Sequence, residues 1–530
     1  MKNISNLSFG FSDAENYKRR ENKEFFNQSF IKNQSLDKLC QSSISFLVGD
    51  KGTGKTAYSV YMVNNTYQNN FASLRYIRET EYQKFITLKK EKQLDLSDYS
   101  SIWKVIVYLL LAEQVYEKEG GSSFFKKFTK FQALHEAIQE YYVHAFSPEI
   151  KYALQFIRES KLVAELLSKH AKASGEQKES IAFSESRFQT NLLYIQKNFE
   201  NALSSIKLEK NHILFIDGID IRPSSIPYGE YLECIKGLAN AVWEINNDFF
   251  PSIRDSKGRM RTVLLIRPDI FASLGLQNQN TKIRDNSVLL NWSTTYRDHR
   301  RSDLFKMSDL LLKQQQDKKF NDGDFWDHYF PFDTPSLNVQ FEKPSSFVNF
   351  LRYALYRPRD IVTMLSMIKE RTLAKNSHAS VFSQEDFDDG VFKRNYSDYL
   401  LGEVKDQLAF YYSDKDYENF LKFFEFLNGK NNFSYQEYLK AFKDHNNFIL
   451  SSSGKQPRFM SSPEDFLQFL YDLNIICYQE RLESGKKHIH WCFKDRTYSN
   501  LSPKVKLNEN YEIFYGMSKA LNTGSKFVRG

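Results

Sequence analysis

One octapeptide near the start of the chain has the residue types and the spacing that bind phosphate. It reads Gly49-Asp50-Lys51-Gly52-Thr53-Gly54-Lys55-Thr56, which is the P-loop pattern of glycine, four residues, glycine, lysine and a hydroxyl residue. Backbone N–H groups of such a loop surround the phosphates. Lys55 would reach the β- and γ-phosphates, and the Thr56 hydroxyl would bind Mg²⁺. The octapeptide therefore predicts a nucleoside triphosphate site, with a chance glycine-rich turn as the alternative.

The flanks of the octapeptide supply the elements that position such a loop. Ile44-Ser45-Phe46-Leu47-Val48 predicts a buried strand before it, and Thr56-Ala57-Tyr58-Ser59-Val60-Tyr61 can open a helix after it. The N–H groups and the dipole at a helix N-terminus favour bound anions. We therefore expect residues 49–57, Ala57 included, to bind the nucleotide.

A second segment ends in the carboxylate that a P-loop site requires. Ile213-Leu214-Phe215-Ile216 predicts a buried strand, and Asp217 follows it directly. We expect Asp217 to hold Mg²⁺ together with Thr56. Gly218 permits a tight turn, so Asp220 can face the same site and orient the attacking water. The alternatives are a strand-capping turn residue for Asp217 and a structural role for Asp220.

A third segment ends in an arginine. Residues 262–266 predict a strand, and Arg267 follows at the edge of the sheet where α/β proteins bind ligands. The planar guanidinium suits phosphate oxygens, so Arg267 is a candidate sensor of the γ-phosphate. An ion pair with Asp269 is the alternative.

Composition limits the class of protein. At 530 residues the chain is long enough for two to four domains, and 41% hydrophobic residues suffice for packed cores. The net charge of +8 permits an acidic partner such as nucleic acid without requiring one. The four cysteines form no C-x-x-C pair, which argues against a zinc ribbon or a disulfide framework.

The hydrophobic pattern predicts a soluble, cytoplasmic protein with no membrane partner. The first twenty residues or so are polar and lack the apolar core of a signal peptide. The longest apolar run, Val105 to Ala112, is too short to span a membrane and predicts a buried helix instead.

Strand patterns separated by helical ones predict an α/β fold with a parallel sheet. We expect an N-terminal helical segment over 1–40 and a P-loop ATPase core over 41–300. A helical insertion at about 80–206 interrupts that core. A small helical lid is expected over 301–395, with one helical stretch from roughly Ser302 to Asp317 and another from Pro344 to Arg371. A C-terminal α+β domain is expected over 396–530.

The C-terminal domain has the outline of a winged helix. Three helices are expected, followed by a hairpin; they are Asp416 to Leu427, Ser434 to Asp444 and Pro463 to Asn474, then Ile475 to Glu480 and His488 to Phe493. Lys486, Lys487 and His488 would lie at the tip of the wing, where a DNA-binding protein contacts phosphates. The third helix is acidic, which favours packing on the ATPase or on a partner protein.

Three phrases together resemble a known family. "FLVGDKGTGKTA", "ILFIDGIDIRP" and "LLIRPDIF" are similar to the STAND (NACHT-like) branch of the AAA+-related P-loop ATPases. "FGFSDAENY" and "LLNWS" are similar to bacterial stand-alone ATPases of this kind, several of which act in phage-defence operons. The resemblance covers roughly residues 8–370 and implies a sheet of strand order 5-1-4-3-2.

The resemblance also implies roles for two further arginines. In "YALYRPRDIVTML", Arg359 would reach the nucleotide from the lid, whereas a solvated helix N-terminus is the alternative. Arg284, before the fifth strand, is a candidate finger acting on a neighbouring copy in a homo-oligomer. The acidic residue that many AAA+ relatives carry after the first Asp is replaced by Gly218, so slow hydrolysis is expected.

The function expected from these features is a Mg²⁺-ATP-dependent switch or assembly ATPase in antiviral defence. We expect it to work with a separate effector or sensor protein encoded alongside. The sequence lacks the Asn-Lys-x-Asp motif that reads guanine, so ATP is preferred over GTP by inference. A DNA-handling loader or translocase is the alternative, and a regulatory protein that binds ATP without turnover is a third.

Overall fold

The computed structural model describes residues 1–77, 96–119, 193, 196, 197, 199–317, 321–335, 341–453, 456–481, 485 and 487–524. Most of the predicted insertion over 80–206 lies outside the described residues, as does Lys486. The chain divides into two compact units. The sheet unit comprises Gln34–Val48 and Lys55–Leu289, and the C-terminal unit comprises Met1–Asn33, Gly49–Gly54 and Leu290–Gly530. The domain boundaries expected from the sequence stay predictions.

The sheet unit is built on five parallel strands. They are β1 (Phe46–Val48), β2 (Asn70–Tyr76), β3 (Asn211–Asp217), β4 (Met260–Ile266) and β5 (Ser287–Leu289). Their order is β2-β3-β4-β1-β5, which confirms the predicted order 5-1-4-3-2 and the α/β class. All residues of β1 and β4 are buried, as expected for central strands covered on both faces.

Helices flank these strands. Those of the sheet unit are Gln34–Leu39, Lys55–Asn64, Leu96–Glu119, Tyr228–Glu244, Pro268–Ser273 and Gln279–Asp285. The apolar run from Val105 to Ala112 lies inside the third of them and is largely buried, as predicted. Gln114 of that helix donates to the carbonyl oxygens of Phe71 (3.0 Å) and Ile213 (3.2 Å), so a buried polar side chain joins the helix to β2 and β3.

The C-terminal unit is mainly helical. Its helices are Arg20–Ser29, Asp303–Lys313, Asp324–Tyr329, Ser346–Tyr353, Pro358–Lys375, Gln384–Phe387, Gly390–Ala409, Asp414–Lys422, Tyr435–Ser453, Pro463–Asp472 and Cys492–Asp495. The prediction of one helical stretch over 344–371 is wrong, because the helical conformation is interrupted before Pro358. Arg357 is extended (φ −119°, ψ 140°), as steric conflict with a following proline requires. Tyr356 is left-handed with φ 52°.

A second, antiparallel sheet lies in the C-terminal unit. Its strands are β6 (Asn432–Ser434), β7 (Ile476–Arg481), β8 (Lys487–His490) and β9 (Asn510–Ile513), in the order β6-β9-β7-β8. The predicted hairpin is confirmed as β7 and β8, although its second strand ends at His490 and Cys492–Asp495 is helical. β6 and β9 were not predicted. Among the described residues, no helix combines the length and the apolarity needed to cross a membrane.

Candidate nucleotide site

The octapeptide 49–56, called the glycine loop from here on, has a backbone shape that requires glycine at two positions. Gly52 and Gly54 have φ angles of +88° and +97°, in the left-handed half of conformational space. The hydroxyl of Thr53 donates to the Asp50 carbonyl oxygen at 2.8 Å, and the indole N–H of Trp292 donates to the Thr53 carbonyl oxygen at 2.9 Å. A Cβ on Gly49 would lie 2.4 Å from the Thr53 hydroxyl oxygen. The loop is therefore tightly wound and fixed from one side.

Lys55, Thr56 and Asp217 come together in the sheet unit. Lys55 and Thr56 begin the helix that follows β1, and Asp217 ends β3. The Thr56 hydroxyl donates to an Asp217 carboxylate oxygen at 2.6 Å. Lys55 is buried and near enough to act electrostatically on Asp217. The structure thus brings together the two predicted metal ligands and the predicted phosphate-binding lysine. The two predicted ligands, Thr56 and Asp217, are 161 residues apart in sequence.

Asp217 sits in an environment that resists its ionisation. Only 7% of the residue is exposed. Burial raises the pKa of the carboxyl, and the nearby carboxylate of Asp220 raises it further. The Thr56 hydrogen bond, the Lys55 charge and a 2.8 Å bond from the Gly218 N–H act in the opposite direction. A cation at this position would relieve the cost of the buried charge, which is a property expected of a metal ligand.

The turn after β3 holds Asp220 beside Asp217. Gly218 has φ +88°, and a Cβ there would lie 2.8 Å from the Ile77 carbonyl oxygen. No side chain fits at that position, which explains physically why an acidic residue cannot follow Asp217 here. The hydroxyl of Tyr231 contacts the carbonyl oxygens of Ile219 (3.0 Å) and Ile221 (2.9 Å). Tyr231, fully buried, therefore fixes both neighbours of Asp220, and sequence reasoning missed it.

Arg267 lies at the predicted edge of the sheet but is already paired. It follows β4, which is hydrogen-bonded between β1 and β3. Its guanidinium donates to both carboxylate oxygens of Asp269, one of them at 3.1 Å, and the arginine is 2% exposed. The ion pair that the sequence left as an alternative is therefore formed, and the sensor role stays a prediction.

The structure does not bring Arg284 to the same edge. It lies on the helix Gln279–Asp285, which precedes β5. Because β5 runs parallel to its neighbours, the start of β5 is at the edge opposite the tip of β3. The Arg284 side chain is 74% exposed. It has no role at the Asp217 carboxylate of its own chain, and action on a neighbouring copy stays a prediction.

Arg359 and Arg357 begin the helix Pro358–Lys375 in the C-terminal unit. The Arg359 side chain donates to the Ser12 carbonyl oxygen (3.1 Å) and to Glu403 (3.2 Å). Its backbone N–H donates to the Gly52 carbonyl oxygen at 3.3 Å. Arg357, which sequence reasoning did not assign to the site, donates to the Lys51 carbonyl oxygen at 2.9 Å and pairs with the fully buried Asp360. The Arg-Pro-Arg signal thus marks a segment that contacts the glycine loop.

The side chains of Asp50 and Lys51 have partners that the sequence gave no reason to expect. Asp50 accepts from Arg496 at 2.5 Å. The Lys51 ammonium donates to Asp406 at 2.5 Å and pairs with Glu403 at 3.4 Å. All these groups belong to the C-terminal unit. Arg496 lies 446 residues from Asp50, and no local pattern links two residues so far apart.

No protein-family model matches this sequence, and a search of curated proteins finds no relative. Function therefore has to follow from the residues and their geometry. Among the described residues, no group of three or more His, Cys, Asp or Glu side chains has a metal-binding arrangement. The Thr56–Asp217 pair would suit a different kind of metal site, in which a hydroxyl and one carboxylate are the protein ligands.

Proposed function

We propose that this protein is a P-loop ATPase that binds Mg²⁺-ATP and hydrolyses it slowly, as a nucleotide-driven switch. The observation that carries the proposal is the 2.6 Å hydrogen bond between Thr56 and Asp217, with Lys55 close to the same carboxylate. The P-loop spacing alone predicts only a phosphate site. A carboxylate at the tip of the neighbouring strand, in contact with the P-loop threonine, is what an Mg²⁺-dependent nucleotide site needs.

The residues present fit Mg²⁺. The Thr56 hydroxyl and the Asp217 carboxylate are oxygen ligands of the kind that this ion prefers, and they lie side by side. Bound Mg²⁺ would neutralise charge on the phosphates. Lys55 supplies a fixed positive charge for the phosphate oxygens, and the N–H groups at the start of its helix add to it.

We assign Asp220 the role of orienting the attacking water. Its carboxylate is near enough to Asp217 to raise that residue's pKa, and it is half-buried on the turn that Tyr231 fixes. A carboxylate there can accept a proton or a hydrogen bond from an attacking water. Gly218 leaves no room for a second acid beside Asp217, so turnover rests on one carboxylate and is expected to be slow.

The antiviral role and the separate effector or sensor protein rest on the family resemblance, whereas the preference for ATP over GTP is inferred from a sequence without an Asn-Lys-x-Asp motif. Purification of an Asp220→Asn variant with ATP, followed by identification of co-eluting proteins, tests the partner. Recovery of the same partner from the Lys55→Ala variant in equal amount would contradict a nucleotide-dependent assembly.

Calorimetric titration tests the proposed function directly. We expect ATP to bind the wild-type chain with an affinity that rises when Mg²⁺ is added, and phosphate release to accompany it. Lys55→Ala should weaken ATP binding by about a hundredfold, because a charged hydrogen-bond donor to the phosphates is lost. Lys257→Ala removes a lysine that is 80% exposed on the same unit and serves as the matched control. Tighter binding of GTP than ATP would reverse the base preference.

A DNA-handling ATPase is the second candidate, and one observation favours testing it. Lys487 and His488 of β8 are exposed, as the wing of a DNA-binding winged helix would be. The helix Pro463–Asp472 instead buries four apolar or aromatic side chains and carries two acidic residues in its first turn. We expect no tight binding of random duplex DNA in an electrophoretic shift at low salt. Tight binding lost on Lys487→Glu would favour the DNA-handling function.

A further inference from the structure

Asp50 is an unfavourable residue for a loop that binds a polyanion. It occupies the second position of the glycine loop, where its carboxylate adds a negative charge to a segment proposed to bind a triphosphate. Like charges at short range repel, and the repulsion is larger where water is excluded. Asp50 is 24% exposed at its side chain, so solvent screens it only in part. Some other group has to compensate this charge.

Arg496 is that group, and two hydrogen-bond acceptors hold its side chain. Its side chain is 5% exposed, and its guanidinium donates to Asp50 at 2.5 Å and to the Asp472 carbonyl oxygen at 3.3 Å. The second bond joins the arginine to the end of the helix Pro463–Asp472. A guanidinium that also donates to the Asp472 carbonyl oxygen loses less rotamer entropy when it pairs with Asp50.

The short helix Cys492–Asp495, which ends directly before Arg496, is anchored through two other side chains. The neighbouring Asp495 accepts from the Tyr471 hydroxyl at 2.8 Å. Lys494 donates to the Tyr356 hydroxyl at 3.1 Å and lies 4.4 Å from the centre of that ring. Tyr356 directly precedes Arg357, which donates to the Lys51 carbonyl oxygen. The segment 492–496 thus contacts the glycine loop through a side chain and through the residues that begin the helix Pro358–Lys375.

We propose that the Asp50–Arg496 pair is a charge clamp that makes nucleotide affinity depend on the segment 492–496. Arg496 is a positioning residue: it neutralises Asp50 and holds the loop, and it does not itself touch the nucleotide. The proposal rests on the proposed function, because it concerns the same loop. Its physical consequence is that any partner which displaces the segment 492–496 exposes the Asp50 charge and weakens nucleotide binding.

A double-mutant cycle tests the proposed role of the Asp50–Arg496 pair. ATP affinity in the presence of Mg²⁺ is measured by calorimetry for the wild type, Arg496→Ala, Asp50→Asn and the double variant. Arg496→Ala should weaken binding about tenfold or more, within the usual range of coupling between sites. Asp50→Asn should bind within about threefold of wild type, and the double variant should regain most of the lost affinity because no negative charge is left uncompensated.

Two further variants separate the clamp from a general loss of structure. Arg496→Lys keeps the charge and should lie between wild type and Arg496→Ala; it replaces Arg496→Ala if the latter does not fold by circular dichroism. Arg394→Ala is the matched control, since this arginine pairs with Asp398 and donates to the Lys519 carbonyl oxygen in the same unit. It should leave ATP affinity unchanged.

The outcomes distinguish the clamp from the proposed function. If the wild-type chain binds no ATP, the proposed function is overturned, and the clamp with it. If the wild type binds ATP but the double variant is as weak as the arginine variant, or if neither arginine variant changes affinity, only the clamp is overturned. Recovery in the double variant, together with normal binding by Arg394→Ala, supports it.

Discussion

The two halves of the glycine loop differ in where their side chains find partners. Lys55 and Thr56, whose types the motif fixes, lie with Asp217 in the sheet unit. Asp50 and Lys51 stand at positions that the motif leaves open, and they pair with residues of the C-terminal unit. We infer that the fixed positions are reserved for the proposed nucleotide, whereas the side chains at the free positions can pair with other parts of the chain.

The largest expected effect comes from Asp217→Asn, which removes the carboxylate charge in the sheet unit that we propose binds the metal. ATP hydrolysis should fall about a thousandfold, because one carboxylate is the main protein ligand for the metal. The ligand-free protein should gain about 1 kcal/mol in its free energy of unfolding, the usual gain when a costly functional group is neutralised. Phosphate release and thermal unfolding measure the two effects. A ligand-free variant less stable than wild type would contradict our account of Asp217.

The difference in the free energy of unfolding between Asp217→Asn and wild type should depend on pH with a definite sign. The folded-state pKa of Asp217 is raised, so its contribution to stability is present at low pH and is lost as the pH rises through the folded pKa. The stability gained by Asp217→Asn should therefore grow with pH. In the wild type, the Mg²⁺-dependent part of ATP affinity should increase as pH rises, because only the ionised carboxylate binds the ion. Calorimetry across a pH series should find this increase absent in the asparagine variant.

The next largest effect is expected for Asp220→Asn. We predict that this variant keeps ATP affinity and loses about a hundredfold in turnover, as removal of a general base does. Single-turnover hydrolysis with bound ATP measures the chemical step separately from binding. Unchanged hydrolysis would falsify the role of Asp220 in orienting water and would leave Asp217 as the only carboxylate at work on the sheet side.

Tyr231→Phe tests whether the turn itself has to be held. The variant keeps the ring and removes the hydroxyl that contacts the Ile219 and Ile221 carbonyl oxygens. We expect turnover to fall about tenfold with little change in ATP affinity, because Asp220 loses its fixed position and misplacement lowers the rate steeply. Tyr61→Phe offers a control on the helix after the loop. A fall in affinity equal to the fall in turnover would indicate a general structural role.

The smallest effect on ATP affinity is expected for Lys51, a loop residue whose side chain pairs within the C-terminal unit. Lys51→Ala removes a side chain that is 24% exposed and paired with Glu403 and Asp406, the latter itself 64% exposed. Such pairs contribute about 0–1 kcal/mol to stability, so ATP affinity should change less than about threefold. The measurement is the same titration used for Lys55→Ala. A loss as large as that of Lys55→Ala would break the distinction between fixed and free positions of the loop.

Sequence reasoning succeeded where patterns are local. The strands before Gly49 and Asp217 are short apolar runs with polar ends, and both formed; the strand order implied by the family resemblance is also the one observed. It failed at β6 and β9, which are three and four residues long and too short to show alternation. It also joined two helices across Pro358, although a proline restricts the residue before it.

The amino-acid sequence alone was enough to predict a phosphate-binding glycine loop and a carboxylate at the end of a neighbouring strand. A P-loop and a strand that ends in Asp are local signals, because each depends on residues that are neighbours along the chain. The partners of Asp50 and Lys51, and the tyrosine that holds the turn around Asp220, are visible only in the folded chain. Arg496 and Glu403 pair with the two loop side chains, and Tyr231 bonds the carbonyl oxygens on either side of Asp220; contacts between residues distant in sequence leave no pattern in any one segment.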